Sequence, residues 1–120
     1  MGGQAMNNVI HVDNSGFFRK MMKIYLGELG IDAESFARGE DALDLIATGS
    51  ISCVITGLEL VDMSGEELIK RLFFAPEPVS IIVVTSNNDE ARNRYLETMG
   101  VMAIIQKTGS WKEDLRKILT

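Results

Sequence analysis

Apolar runs and helical spacings alternate along the chain. Val9-Ile-His-Val12 is a short apolar run that ends at Asp13. From Gly16, apolar residues Phe18, Met21, Met22, Tyr25, Leu26 and Leu29 recur three or four apart, which predicts a helix, and Gly30 is a natural stop. Ile31–Phe36 predicts a second strand whose alternating polar residues suit a sheet edge. Gly39–Thr48 predicts a short helix carrying Ala42, Leu43, Leu45 and Ile46, and Ile51–Ile55 a third strand. Ser64-Gly-Glu-Glu67 reads as a capping box that opens a helix with Leu68, Ile69, Leu72 and Phe73. Pro76 and Pro78 break that helix. Val79–Val84 is the most β-prone run, Asn88–Met99 returns to helical spacing, and Met102–Ile105 predicts a fifth strand. Ser110-Trp-Lys-Glu113 reads as a second capping box before a last helix with Leu115, Ile118 and Leu119.

Five βα units imply an α/β fold: a parallel five-stranded sheet wound into a three-layer sandwich by right-handed crossovers. Strands one, three, four and five are nearly all apolar, as strands covered on both faces should be. A length of 120 residues fits one domain, and 46% hydrophobic with 24% charged residues is an ordinary folded composition. Residues 8–120 are expected to form that domain, with 1–7 a disordered lead-in or an expression scar. Twelve Lys and Arg against 17 Asp and Glu give a net charge of -5, which argues against direct nucleic-acid binding through bulk charge. One Cys permits neither an internal disulfide nor a multi-thiolate zinc site, so a reducing, cytoplasmic setting is expected. No run is long and apolar enough for a membrane span, and no membrane partner is expected.

In such a sheet, chemistry gathers outside the carboxyl ends of the strands. Those ends deliver Asp13 and Asn14 after the first strand, and Thr56, Gly57, Leu58 and Glu59 after the third. Thr85 and Ser86 follow the fourth, and Gln106, Lys107 and Thr108 the fifth. An acid, an amide, hydroxyls and an ammonium thus share one rim. A flavin or nucleotide binder would want a glycine-rich loop after the first strand, and no nucleophile–base pair of the hydrolase kind is present, so no enzyme is expected.

These residues resemble the receiver domains of two-component response regulators, the chemotaxis-regulator type. The resemblance rests on Val12-Asp-Asn-Ser15, Gly39-Glu-Asp-Ala-Leu43, Met63-Ser-Gly65, Val84-Thr-Ser86 and Lys107, in order and at compatible spacing. It implies a flavodoxin-like (βα)5 sandwich with strand order 2-1-3-4-5 and a phosphorelay role in two-component signalling. In the family an Asp ending the third strand accepts a phosphoryl group from a histidine kinase. An acidic pair after the first strand holds Mg²⁺, and the hydroxyl and Lys contact the phosphoryl group. Here Asp13, Thr85 and Lys107 match, but the acceptor position falls on Gly57 and the second acid is Asn14. The Met-Pro after the acceptor is Leu60-Val61, the Pro after the Lys is Thr108, and the inward-turning aromatic is Ile104.

Asp13 alone can pair with Lys107, leaving that corner neutral without metal. Metal is expected to be absent or weakly held, with Asp13 and Asn14 its only ligands. The resulting expectation is an atypical receiver, independent of phosphorylation, that acts as a protein–protein interaction module. Its partner would be an output domain, a kinase or another receiver. The expected surface is helices four and five with Arg92, Arg94, Ile104, Trp111 and Lys112, which could also build a homodimer. Two alternatives stand beside it: a small-ligand sensor using the space at Gly57, and a phosphorelay receiver with a displaced acceptor at Glu59 or Asp62. The plainer reading of Asp13, Thr85 and Lys107 is an internal ion pair and a capping hydroxyl, and that of Glu59 and Asp62 is exposed loop acids. His11 reads as a hydrogen-bonded core histidine and Cys53 as an inert buried thiol. Trp111 divides between half-burial and a partner surface. Gly57 itself is a candidate for positive φ.

Overall fold

The computed structural model describes residues 8–120, so the expected lead-in lies outside the described residues. The elements are β1 (Val9–Val12), α1 (Gly16–Glu28), β2 (Glu34–Phe36), α2 (Gly39–Ile46) and β3 (Cys53–Thr56). They continue with α3 (Gly65–Leu72), β4 (Ser80–Thr85), α4 (Glu90–Thr98), β5 (Ala103–Gln106) and α5 (Trp111–Leu119). All strand pairs are parallel, in the order β2-β1-β3-β4-β5. The fold is the parallel five-stranded sandwich that the alternation implied, in the flavodoxin-like strand order that the family resemblance implied.

Alternation of side chains along each strand makes two cores. Ile10, Val12, Val54, Ile81 and Val83 meet Ala42, Ile46, Leu68, Ile69, Leu72 and Leu96 from α2, α3 and α4. Val9, Cys53, Ile55, Ile82, Val84 and Ile105 meet Phe18, Met22, Leu26, Trp111 and Leu115 from α1 and α5. Edge strand β2 is shorter than expected, beginning at Glu34 rather than Ile31. Buried Ile31 follows the turn closed by Gly30 at φ 80 and accepts no full ladder.

The two capping motifs behave differently. Ser64 has extended dihedrals and its hydroxyl accepts from the Glu67 N–H at 3.1 Å. Ser110 sits at φ -99, ψ 7 and makes no side-chain cap, while Glu113 turns to Arg116 at 2.6 Å. The expected second capping box is therefore not formed: an N-cap needs the extended region to aim its oxygen at the free N–H groups. Trp111, next in line, is buried at 7% exposure. Its ring centroid stands 5.0 Å from Phe18 and 5.7 Å from Tyr25.

Candidate functional site

Backbone hydrogen bonds carry the sheet past its formal ends and line up the rim. Asp13 N–H donates to Phe36 O at 3.0 Å, Gly57 N–H to Val12 O at 2.8 Å, and Lys107 N–H to Thr85 O at 2.8 Å. The segments after β1, β3, β4 and β5 therefore close on one pocket of about 240 Å³. It is lined by Asp13, Asn14, Gly57, Glu59, Thr85, Ser86 and Lys107, with Leu58 and Val84. Of the residues that the sequence places on the rim, Thr56, Gln106 and Thr108 do not line this pocket and the others do.

Asp13 is 2% exposed, so its charge must be paired. Its Oδ1 accepts from Ser15 N–H at 2.8 Å, and its Oδ2 lies 2.9 Å from Lys107 Nζ. Arg19 Nη1 donates to its carbonyl at 2.7 Å. The Lys107 ammonium also stands 4.2 Å from the Phe18 ring centroid, a cation–π contact on its other side. Thr85 accepts from Asn87 N–H at 3.0 Å, which leaves its hydroxyl proton free for the pocket.

Gly57 gives this corner its shape. A Cβ built there would stand 2.8 Å from Asp13 Oδ2, so the carboxylate occupies space a side chain would claim. The positive φ considered for Gly57 is not present; among the described residues only Gly30, Gly49 and Gly100 adopt it. Gly65 has a stricter demand, since its Cβ would meet Gly57 O at 2.5 Å. That approach seats the start of α3 against the end of β3, with Gly65 N–H donating to Leu58 O at 2.8 Å.

Several residues stand elsewhere than expected. Asp62 is not a loose loop acid: its carboxylate accepts from Gly39 N–H at 2.7 Å and Glu40 N–H at 3.0 Å, capping α2. Desolvation raises its carboxyl pKa, but the N–H groups of Glu40 and Gly39 and the nearby Arg38 outweigh this and hold it below the usual range. Glu59 lies at the pocket mouth, its carboxylate 3.0 Å from Arg92. Arg92 is paired with Glu66 and Glu59, whereas Arg94 and Lys112 are exposed and Ile104 is half-buried on β5. His11 is 1% exposed with neither ring nitrogen hydrogen-bonded, which corrects the expectation of a satisfied core histidine. Burial depresses its pKa to about 4, so it stays neutral, its ring edge-on to Phe18 at 5.7 Å. Cys53 is buried and burial pushes its thiol up to about 11, an inert setting.

Asp13 is already taken by Lys107, Asn14 is neutral, and Glu59 is taken by Arg92. Among the described residues no three His, Cys, Asp or Glu side chains gather as a metal set.

An open parallel α/β sheet with an acid, a hydroxyl and an ammonium on its carboxyl rim defines the receiver class of signalling domain. Residues 9–120 match the family model described as response regulator receiver domain, and the chain belongs to that family. It is 32% identical over 115 residues to a protein-glutamate methylesterase/protein-glutamine glutaminase of Halalkalibacterium halodurans, covering 92% of this chain and 33% of that protein. It is 25% identical over 120 residues to ethylene receptor 2 of Arabidopsis thaliana, covering 92% of this chain and 15% of the receptor. The chain thus spans a third or less of those two relatives. Among solved structures, the signal receiver domain of a putative Luxo repressor protein from Vibrio parahaemolyticus superposes with a TM-score of 0.86 at 23% identity, covering 95% of this chain and 87% of that one. Chemotaxis response regulator CheY4 of Vibrio cholerae gives 0.79 at 23% identity, covering 95% and 96%. Among the described residues no helix is long and apolar enough to cross a membrane.

Proposed function

We propose that this receiver domain works without phosphorylation of its rim, as a protein–protein interaction module. The observation that carries the reading is Gly57 directly after β3, with the Asp13 carboxylate leaning over it and bonded to Lys107. Glycine offers no oxygen to accept a phosphoryl group. The acid that would hold a metal is instead neutralised by the ammonium that would meet the phosphoryl group. Residues 8–120 serve as the working domain, in a cytoplasmic setting, with no cofactor and no enzymatic step of their own.

The displaced-acceptor alternative is weakened by geometry. Both Asp62 oxygens cap α2, and the Glu59 carboxylate is paired with Arg92. The sensor alternative draws on the pocket of about 240 Å³, although Asp13 already claims part of the space at Gly57. The partner is a kinase, an output domain or another receiver, and a second copy of this chain is one form of the last. Exposed Arg94 and Lys112 on α4 and α5, with Ile104 between them on β5, suit a salt-sensitive contact. With Ile104 in place of an aromatic, β5 has no ring to turn inward.

Amide NMR spectra with Mg²⁺ and beryllofluoride, a phosphoryl mimic, test this reading. The α4, β5 and α5 resonances are expected to stay in place. Concerted shifts across these elements would overturn it, and a small molecule that raises the melting temperature would favour the sensor instead.

A further inference from the structure

Helix α4 has the least apolar anchorage of the three helices on its side of the sheet. Leu96 is its one buried residue, whereas α3 buries Gly65, Leu68, Ile69 and Leu72. Residues 86–91 are all exposed, and the loop before α4 is held only at Asn87, whose N–H donates to the Thr85 hydroxyl at 3.0 Å and whose carbonyl accepts from Gln106 at 3.4 Å. The Asp89 carboxylate accepts from Arg92 N–H at 3.2 Å, but that cap is internal to the helix and ties it to nothing else.

What ties it is the Arg92 side chain. Its Nε and Nη2 meet the two Glu66 oxygens at 2.5 and 2.8 Å, a fork-to-fork pair across the start of α3. Its Nη1 reaches Glu59 Oε2 at 3.0 Å, and Nη2 leans on Leu58 O at 3.4 Å. The two paired side chains are only 22% and 17% exposed, so water screens them less than an ordinary surface pair. Hydrogen bonding to Arg92 holds the Glu66 carboxyl below its usual range against partial desolvation. Leu58 and Glu59 directly follow Gly57 and line the rim pocket, so one guanidinium joins α4 to the pocket wall and to α3.

We propose that Arg92 is an electrostatic latch. It holds the N-terminal half of α4 and the preceding loop, residues 86–95, against the β3–α3 segment. Releasing it lets this half lift while Leu96, with partly buried Met99, keeps the C-terminal half in the core. An anionic group of a partner that claims Arg92 shifts the latch towards its open form. The latch is independent of whether the rim is phosphorylated, so its failure leaves the proposed function standing, and the reverse.

Amide hydrogen exchange by mass spectrometry on the full chain tests it, comparing the parent with Arg92→Met, Glu66→Gln and Arg92→Lys. Arg92→Met and Glu66→Gln should speed exchange across residues 87–95 by about tenfold or more, with the five strands unchanged. Arg92→Lys, which keeps the charge but loses the fork, should fall between them and the parent. Parent-like exchange over 87–95 in both Arg92→Met and Glu66→Gln would overturn the latch. So would acceleration spread equally over the strands, since Arg92 would then support the whole fold.

Discussion

Asp13 stands in space that a side chain at Gly57 would claim. Its carboxylate pairs with Lys107 and accepts from the Ser15 N–H. Gly57→Asp would return a carboxylate to the rim and place its Cβ 2.8 Å from Asp13 Oδ2. Asp13 must then give up part of its pairing, and two carboxylates share one ammonium. The substitution should cost about 1–3 kcal/mol without metal. Mg²⁺ should restore part of this, and more in Gly57→Asp with Asn14→Asp, because binding to the folded state alone stabilises it. Melting temperature against Mg²⁺ checks this: a flat response is expected for the parent, and equal responses in all three proteins would refute it. His11 offers a second test at this scale. Its folded pKa, about 4, lies below the ordinary 6.5, so the unfolded chain takes up the proton first. Its contribution is complete above the unfolded value and declines as pH falls from about 6.5 towards 4, by up to about 3 kcal/mol. His11→Leu should remove that decline and lose no hydrogen bond, as neither nitrogen has one. Urea unfolding at pH 7.5, 6 and 5 measures it, and an unchanged slope in the variant would contradict it.

At the scale of elements, helix ends are set by oxygens that local motifs do not always supply. Helix α2 has Arg38 at its N-cap with no side-chain bond there, and its free N–H groups are met by Asp62 from the β3–α3 loop. Asp62→Ala should therefore cost about 1 kcal/mol or more, as the loss of a good cap does, whereas Ser110→Ala should cost almost nothing. Denaturant midpoints of the two variants decide the point, and the reverse ranking would show that α5 depends on Ser110 after all. Gly65→Ala should be the most damaging single-methyl addition at the rim, because its Cβ faces backbone atoms, Gly57 O and Leu58 Cα, that have nowhere to go. A melting temperature within a degree or so of the parent would show that the start of α3 can back away from β3.

For the whole molecule, the strands are legible because β1, β3, β4 and β5 are short, apolar and bounded by turn residues, while polar β2 reads as an edge. The rim was legible because a parallel sheet leaves the residues after its strands side by side. Asp13, Gly57, Thr85 and Lys107 could be placed together from order alone. The parts that escaped depend on long-range geometry. Arg92 and Glu66 lie 26 residues apart, Asp62 reaches back 23 residues to Gly39, and neither pairing leaves a periodic trace. Trp111 was split between core and surface because its burial depends on Phe18 and Tyr25 arriving from α1. The ends of β2, β3, β4 and β5 lie one to three residues from those expected because apolar content does not say where ladder bonds begin. The molecule is a receiver fold with an Asp13–Lys107 pair beside Gly57 on its rim, and the proposed function holds that this rim takes up no phosphoryl group. Intact-mass spectrometry of the full chain after treatment with a small phosphodonor and Mg²⁺ tests that most directly. The expected result is the unmodified mass, and a stable single-phosphoryl adduct mapped to Glu59, Asp62 or any other rim residue would contradict it.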